Sequence, residues 1–220
     1  MKKGWICMTR IPEPGRTKTR LMPFLSGEEC AALHTAFLRD LAELAGKTDA
    51  ELFVTYTPGE GWEQLGEIFP TAQELFPQEG EDLGARMHNA MTRVLGMGYE
   101  ACVLTGSDLP RMTMAHLESG FAALALADAA LGPTADGGYY LVGLKKPCLA
   151  MFEKLCYGVS TVFDATCAAA ERAGCTVAKA LPCDDVDTPE ELRKLWGECC
   201  GEENHTARCL RTIFTKEERT

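Results

Sequence analysis

Between Pro12 and Leu21 the chain places Gly15, Arg16, Lys18 and Arg20 in the run Pro-Glu-Pro-Gly-Arg-Thr-Lys-Thr-Arg-Leu. Three cations beyond a glycine can neutralise a polyphosphate, because basic side chains match phosphate oxygens and glycine lets the backbone approach closely. A solvated basic surface loop is the plain alternative. The run is not a Walker A loop, since G-x-x-x-x-G-K-[ST] is absent. Carboxylates gather at two distant places. Asp108 lies in Gly106-Ser107-Asp108-Leu109-Pro110, directly after an apolar run, and Asp185 and Asp187 lie in Asp184-Asp185-Val186-Asp187-Thr188-Pro189. Carboxylate oxygens suit a hard cation such as Mg²⁺, and in an extended Asp-x-Asp both side chains point to one side. The bland alternatives are helix caps: Asp108 for a helix starting near Met112, and Asp187 or Thr188 ahead of Pro189.

Two further segments offer backbone and hydroxyl donors. Gly132-Pro133-Thr134-Ala135-Asp136-Gly137-Gly138-Tyr139-Tyr140 is a glycine-rich turn entering a strand, where amides can meet an anion or simply make a tight turn. Tyr157-Gly158-Val159-Ser160-Thr161 precedes a helix whose N-terminus can receive a phosphate or carboxylate. Other chemistries are poorly served. His34, His88, His116 and His205 show no H-E-x-x-H spacing, three of them fall inside helical patterns, and no G-x-S-x-G elbow exists. Cys199, Cys200, His205 and Cys209 can be drawn as a zinc site, but C-x-x-C pairs are absent and adjacent cysteines seldom serve one tetrahedral ion.

Positioning these residues requires an alternation of strands and helices, and the apolar pattern supplies one. Strands are expected at Trp5–Met8, Leu52–Tyr56, Glu74–Phe76, Ala101–Thr105, Ala129–Leu131, Tyr139–Leu144 and Thr176–Leu181. Ser26 and Glu29 form a capping box ahead of Cys30, Leu33, Phe37, Leu41 and Leu44 at helical spacing. Further helices are expected over Trp62–Phe69, Asp82–Leu95, Thr113–Leu126, Cys148–Leu155, Val162–Ala173, Pro189–Trp196 and Thr206–Phe214. Strands separated by helices imply βαβ units: a three-layer α/β/α sandwich on a mostly parallel sheet. In such a sheet the loops after the strands share one edge, where ligands bind.

Length and composition agree. The 220 residues, 46% hydrophobic and 25% charged, suit one large globular domain, expected over residues 1–196, with a polar C-terminal extension over 197–220. The net charge of −10 argues against coating a nucleic acid polymer, yet the first twenty residues carry six cations against Glu13 alone. A basic loop on an acidic body suits a small anionic ligand. The apolar start Gly4–Met8 is too short for a signal peptide, and Gly120–Gly132 is too short to span a membrane. With eleven cysteines, an odd number, the expectation is reduced thiols in the cytoplasm.

Taken in order, the motifs PxPGxxKTRL, GEDLGARM, GSDLP, GPTADGGYYLVGL and DVDTPEEL resemble the small bacterial GT-A-fold transferases of the nucleotide-diphospho-sugar transferase superfamily, from about Ile6 to Leu195. That group includes glycosyltransferases associated with arsenosugar biosynthesis, and it is distantly similar to phospholactate guanylyltransferase. The resemblance implies a transferase, nucleotidyl or glycosyl, with a nucleotide substrate and a small anionic or sugar acceptor. It implies that Gly15, Arg16, Lys18 and Arg20 hold the nucleotide's phosphates and that Asp82, Leu83 and Gly84 lie beside base or ribose. Gly137, Gly138, Ser160 and Thr161 would meet the acceptor, while Asp108, Asp185 and Asp187 hold Mg²⁺ or Mn²⁺. Lys18, Arg20 and Asp108 would act in catalysis. A homodimer is compatible with this reading. Pro12-Glu13-Pro14-Gly15 replaces the LAGGxGxR type of nucleotidyltransferase loop, so base-recognition rules from those enzymes do not carry over. A nucleotide-binding sensor or scaffold without turnover is the rival reading.

Overall fold

The computed structural model describes residues 1–199 and 201–217. Strands β1 (Lys3–Thr9), β2 (Glu51–Tyr56) and β3 (Glu74–Pro77) alternate with helices α1 (Gly27–Ala45) and α2 (Glu63–Ile68). Helix α3 (Leu83–Gly96) leads to β4 (Ala101–Thr105), and α4 (Met114–Leu126) to β5 (Ala129–Pro133) and β6 (Tyr139–Leu144). Helix α5 (Val162–Arg172), β7 (Val177–Lys179), α6 (Pro189–Cys199) and α7 (His205–Glu217) complete the order. Among the described residues the strands form one sheet, ordered β3-β2-β1-β4-β6-β5-β7. Only β6 runs against its neighbours β4 and β5, because the short turn from β5 to β6 permits a hairpin and leaves no room for a crossover.

The alternation of side chains along each strand builds a core on either face. On one face Trp5, Val54, Val103 and Leu141 pack with Leu38, Leu41 and Leu44 of α1, Leu65 of α2, and Leu117 and Phe121 of α4. On the other, Ile6, Leu104 and Val142 pack with Met87 and Met91 of α3 and Phe163 of α5. A third cluster lies outside the sheet: Leu33 and Phe37 of α1 meet Leu192 and Leu195 of α6 and Ala207, Leu210 and Ile213 of α7. The capping box of α1 forms as its spacing predicts, with Ser26 accepting from the Glu29 amide. The chain departs from expectation at Cys148–Leu155, where a single 3-10 turn, Leu149–Met151, replaces the helix. There Lys154 adopts a left-handed backbone (φ 59°), which an α-helix does not admit. The last strand is also shorter than expected, Val177–Lys179.

Candidate functional site

Crossovers from β1 run outward through β2 to β3, while β4 lies on the opposite side of β1. The strand order therefore reverses between β1 and β4, and the loops leaving their carboxyl ends part to open a cleft of about 590 Å³. Val186 donates its amide to the Asp108 carbonyl at 3.0 Å. That bond ties the segment before α6 to the loop after β4 and brings two stretches far apart in sequence to the same cleft.

Lys18 is their meeting point. Its backbone is left-handed (φ 53°) and its side chain only 1% exposed. The ammonium lies 2.7 Å from Asp108 Oδ1 and 3.3 Å from Asp187 Oδ1, donates to the Val186 carbonyl at 2.5 Å, and sits 5.0 Å from the centre of the Phe37 ring. Arg20 holds the other oxygen of Asp187 at 3.3 Å, and its side chain is 76% exposed. Behind Asp108, His34 Nδ1 approaches Oδ1 at 3.4 Å, while Nε2 meets Thr9 Oγ1 at 3.1 Å and the Arg10 carbonyl at 3.3 Å. Asp108 Oδ1 is sealed from solvent, and its ion pair with Lys18 lacks hydrogen-bond alignment.

Burial opposes ionisation of Asp108, but the Lys18 ammonium and the His34 contact outweigh it and hold the carboxyl well below the usual carboxylate range. Asp185 shows the reverse. Burial first, then the neighbouring Asp187, Asp136, Glu191 and Asp108, push its pKa up to about 6. Four aspartates, Asp108, Asp136, Asp185 and Asp187, line the cleft with five cations, Arg10, Arg16, Lys18, Arg20 and Arg86, and the negative charge is concentrated around Asp185. An all-oxygen cluster of carboxylates, crowded enough to raise the pKa of Asp185, fits a hard divalent cation. The three aspartates do not draw their oxygens together as tightly as a closed site would. Among the described residues, the trio with potential ligand atoms within 4.8 Å of one another is Asp40, Glu43 and His205. Asp40 in that trio accepts from the amides of His205 and Thr206 at 2.8 and 2.9 Å, so it caps α7.

Of the residues singled out in the sequence, Arg16, Lys18, Arg20, Leu83, Asp108, Gly138, Asp185 and Asp187 line the cleft. The helix caps fall elsewhere: Thr113 caps α4, and Thr188 accepts from the Glu191 amide at 3.3 Å, so Asp108 and Asp187 are left for other work. Gly15, Asp82, Gly84, Gly137, Ser160 and Thr161 do not line it. Asp82 caps α3 by accepting from the Ala85 amide at 2.7 Å. A Cβ on Gly84 would collide with the Phe152 carbonyl, so that glycine serves close packing. Gly137, at φ 86°, lies against the Ser160 backbone, where a Cβ would likewise collide, and so holds the entrance to α5. Reading the sequence passed over Asp136, His34, Gln78 and Arg86, which also line the cleft. Asp136 lay in a motif already singled out, and it accepts from the Gly138 amide at 2.9 Å. The only mark of His34 was a polar ring on the buried side of α1.

Known proteins bear on this architecture. No curated protein matches the sequence. A solved structure of a candidate nucleotide-diphospho-sugar transferase from Desulfovibrio desulfuricans G20 is 30% identical, with a TM-score of 0.89 over 100% of this chain and 98% of that one. The structure of CMP:2-keto-3-deoxy-manno-octonic acid synthetase complexed with CTP shares the fold at 14% identity and a TM-score of 0.57, covering 92% of this chain and all of that one. A cytidylyltransferase from Leptospira borgpetersenii serovar Hardjo-bovis does so at 15% identity and a TM-score of 0.53, covering 99% and 96%. Residues 40–159 match the family described as "Uncharacterized protein conserved in bacteria" (DUF2064). With more than half its length in that match and a full-length relative built on the same sheet, the chain belongs to this family of nucleotide-diphospho-sugar transferase fold.

Proposed function

We propose that the protein is a Mg²⁺- or Mn²⁺-dependent transferase acting on a nucleotide substrate. The observation that carries this reading is the junction of Lys18 with Asp108 and Asp187 in one cleft at the carboxyl edge of the sheet, flanked by Arg10, Arg16 and Arg20. The exposed arginines suit the phosphates of a nucleoside triphosphate, and the fold relative that holds CTP supports the nucleotidyl version. In that version an acceptor oxygen attacks the α-phosphorus, the bond to the β-phosphate oxygen breaks, and pyrophosphate leaves. Arg20, with one contact to Asp187 and an otherwise exposed guanidinium, receives charge on the departing phosphates. Lys18 is a buried counter-ion that fixes Asp108 and Asp187, and His34 holds Asp108 from behind. Asp108, Asp185 and Asp187 would hold the cation, which supplies charge neutralisation and polarisation of the phosphorus.

The relative described as a candidate nucleotide-diphospho-sugar transferase favours a second version, in which a sugar carbon is attacked and a nucleoside diphosphate leaves. Incubation with each nucleoside triphosphate and a set of sugar nucleotides, with Mg²⁺ and a metabolite extract, separates the two. Pyrophosphate release marks nucleotidyl transfer, and UDP or GDP release marks glycosyl transfer. Nucleotide binding by calorimetry that ignores Mg²⁺, with no product in either assay, would favour the sensor instead. The domain reading, a transferase domain over residues 1–196 with an extension over 197–220, and a cytoplasmic location belong to the same proposal. Among the described residues no helix is long and apolar enough to cross a membrane.

A further inference from the structure

At the end of the sheet opposite the cleft, two thiols face each other. Cys148 Sγ lies 3.5 Å from Cys175 Sγ, and both side chains are half-buried and unbridged. A disulfide bond is about 2.05 Å long, so closure brings the sulfurs about 1.5 Å nearer, a movement that side-chain rotation can supply. Neither cysteine sits inside a helix or strand: Cys148 precedes the 3-10 turn Leu149–Met151, and Cys175 lies between α5 and β7. The sheet, not the sulfurs, brings them together. Ala129 of β5 pairs with Leu144 at the end of β6 and with Val177 at the start of β7. One residue earlier, the Asp128 carbonyl accepts from the Lys145 amide at 3.4 Å, and its Oδ2 accepts from the Thr176 amide and hydroxyl at 3.0 and 2.7 Å. Two thiols held by such a frame react as if highly concentrated.

Between the two cysteines the chain runs from the 3-10 turn to the cleft, which Tyr157, Gly158, Val159 and Val162 line, and returns through α5. We propose that Cys148 and Cys175 form a redox-modification site, a dithiol that closes reversibly to a disulfide by exchange with a low-molecular-weight disulfide and ties the base of the segment carrying this part of the cleft rim. With oxidised glutathione as the oxidant, one cysteine thiolate attacks a glutathione sulfur, forming a mixed disulfide and releasing one glutathione thiolate. The second cysteine attacks the protein sulfur of that mixed disulfide, the Cys148–Cys175 bond forms, and the second glutathione leaves. The two protein thiols are oxidised, the glutathione disulfide is reduced, and the two thiol protons end on the two glutathiones. Burial first, and then the contact with Cys175, push the Cys148 thiol above its ordinary value, so exchange at neutral pH takes minutes to hours. The site rests on the fold and is independent of the transferase reading.

Incubating the folded full chain with oxidised glutathione, then alkylating free thiols and mapping peptides by mass spectrometry, tests it. A linked peptide containing Cys148 and Cys175 is expected, and dithiothreitol should remove it. The oxidised protein should melt about 5–10 °C higher than the reduced one, because the bond restrains residues 148–175 in the unfolded chain. Cys148→Ser and Cys175→Ser should each abolish the linked peptide and the oxidation-dependent rise, leaving the surviving thiol trapped as a glutathione adduct. The peptide map is read on the unsubstituted chain, so a variant that fails to fold does not decide the outcome. Absence of the linked peptide after overnight oxidation overturns the proposal. So does preferential linkage of either cysteine to the exposed Cys156, or a linked protein whose melting temperature does not rise.

Discussion

Asp108 and Asp185 line the same cleft yet carry opposite electrostatic burdens. Asp108 is ionised and locked between Lys18 and His34, so replacing it with asparagine removes a charge while keeping the shape. Asp108→Asn is expected to lower turnover by about 10²–10³-fold, the range seen when one preorganised electrostatic partner is lost. It should also lower stability by about 3 kcal/mol, because the buried Lys18 ammonium keeps only the longer ion pair, to Asp187, beside its bond to the Val186 carbonyl. Product assays below the melting transition check the first outcome and denaturant unfolding the second. Near-normal activity would contradict the assignment. Asp185 makes a pH prediction. Its pKa is raised on folding to about 6, so its share of stability is full below about pH 4 and is lost as pH rises through about 6. A shift of that size corresponds to roughly 2–3 kcal/mol, an upper figure for a side chain that is partly open to water. Mg²⁺ should therefore raise the melting temperature at pH 7.5 and have little effect at pH 5. Asp185→Asn should abolish the difference, and a Mg²⁺ shift that is equal at both pH values would speak against cation binding there.

At the scale of elements, the turn between β5 and β6 and the start of α5 are interlocked. The Gly137 carbonyl accepts from the Phe163 amide at 3.1 Å, and its backbone lies where only a hydrogen fits against Ser160. Gly137→Ala combines a left-handed backbone with a collision against main chain, so a loss of about 2–4 kcal/mol is expected. The melting temperature measures it, and an unchanged value would show that the two segments do not constrain each other. Replacing Thr188, which caps α6, is a smaller change. Thr188→Ala should cost about 1 kcal/mol and shift the reach of Asp187 toward Lys18, read as lower apparent affinity for nucleotide.

In the whole molecule, the carboxyl edge is held together from the side by the third core. Val186, between Asp185 and Asp187, is fully buried in that cluster with Leu21 from the basic loop and Leu210 from α7. Leu210→Ala should therefore destabilise the protein by about 2–5 kcal/mol in a single cooperative transition. Unfolding in two separate steps would show that α7 is dispensable to the core. The alternation of strands and helices, the Ser26 capping box and the five glycine- and carboxylate-bearing motifs were legible in the residues themselves, because local apolar spacing and capping chemistry act over three or four positions. They determined the class of fold and the stretches that bear charge. That Lys18 turns inward, that Gly84 and Gly137 serve packing, and that Asp136, His34 and Arg86 join the cleft were decided only by tertiary structure. Each depends on contacts between segments tens of residues apart, and such contacts arise from the packing of the sheet, which no local pattern encodes.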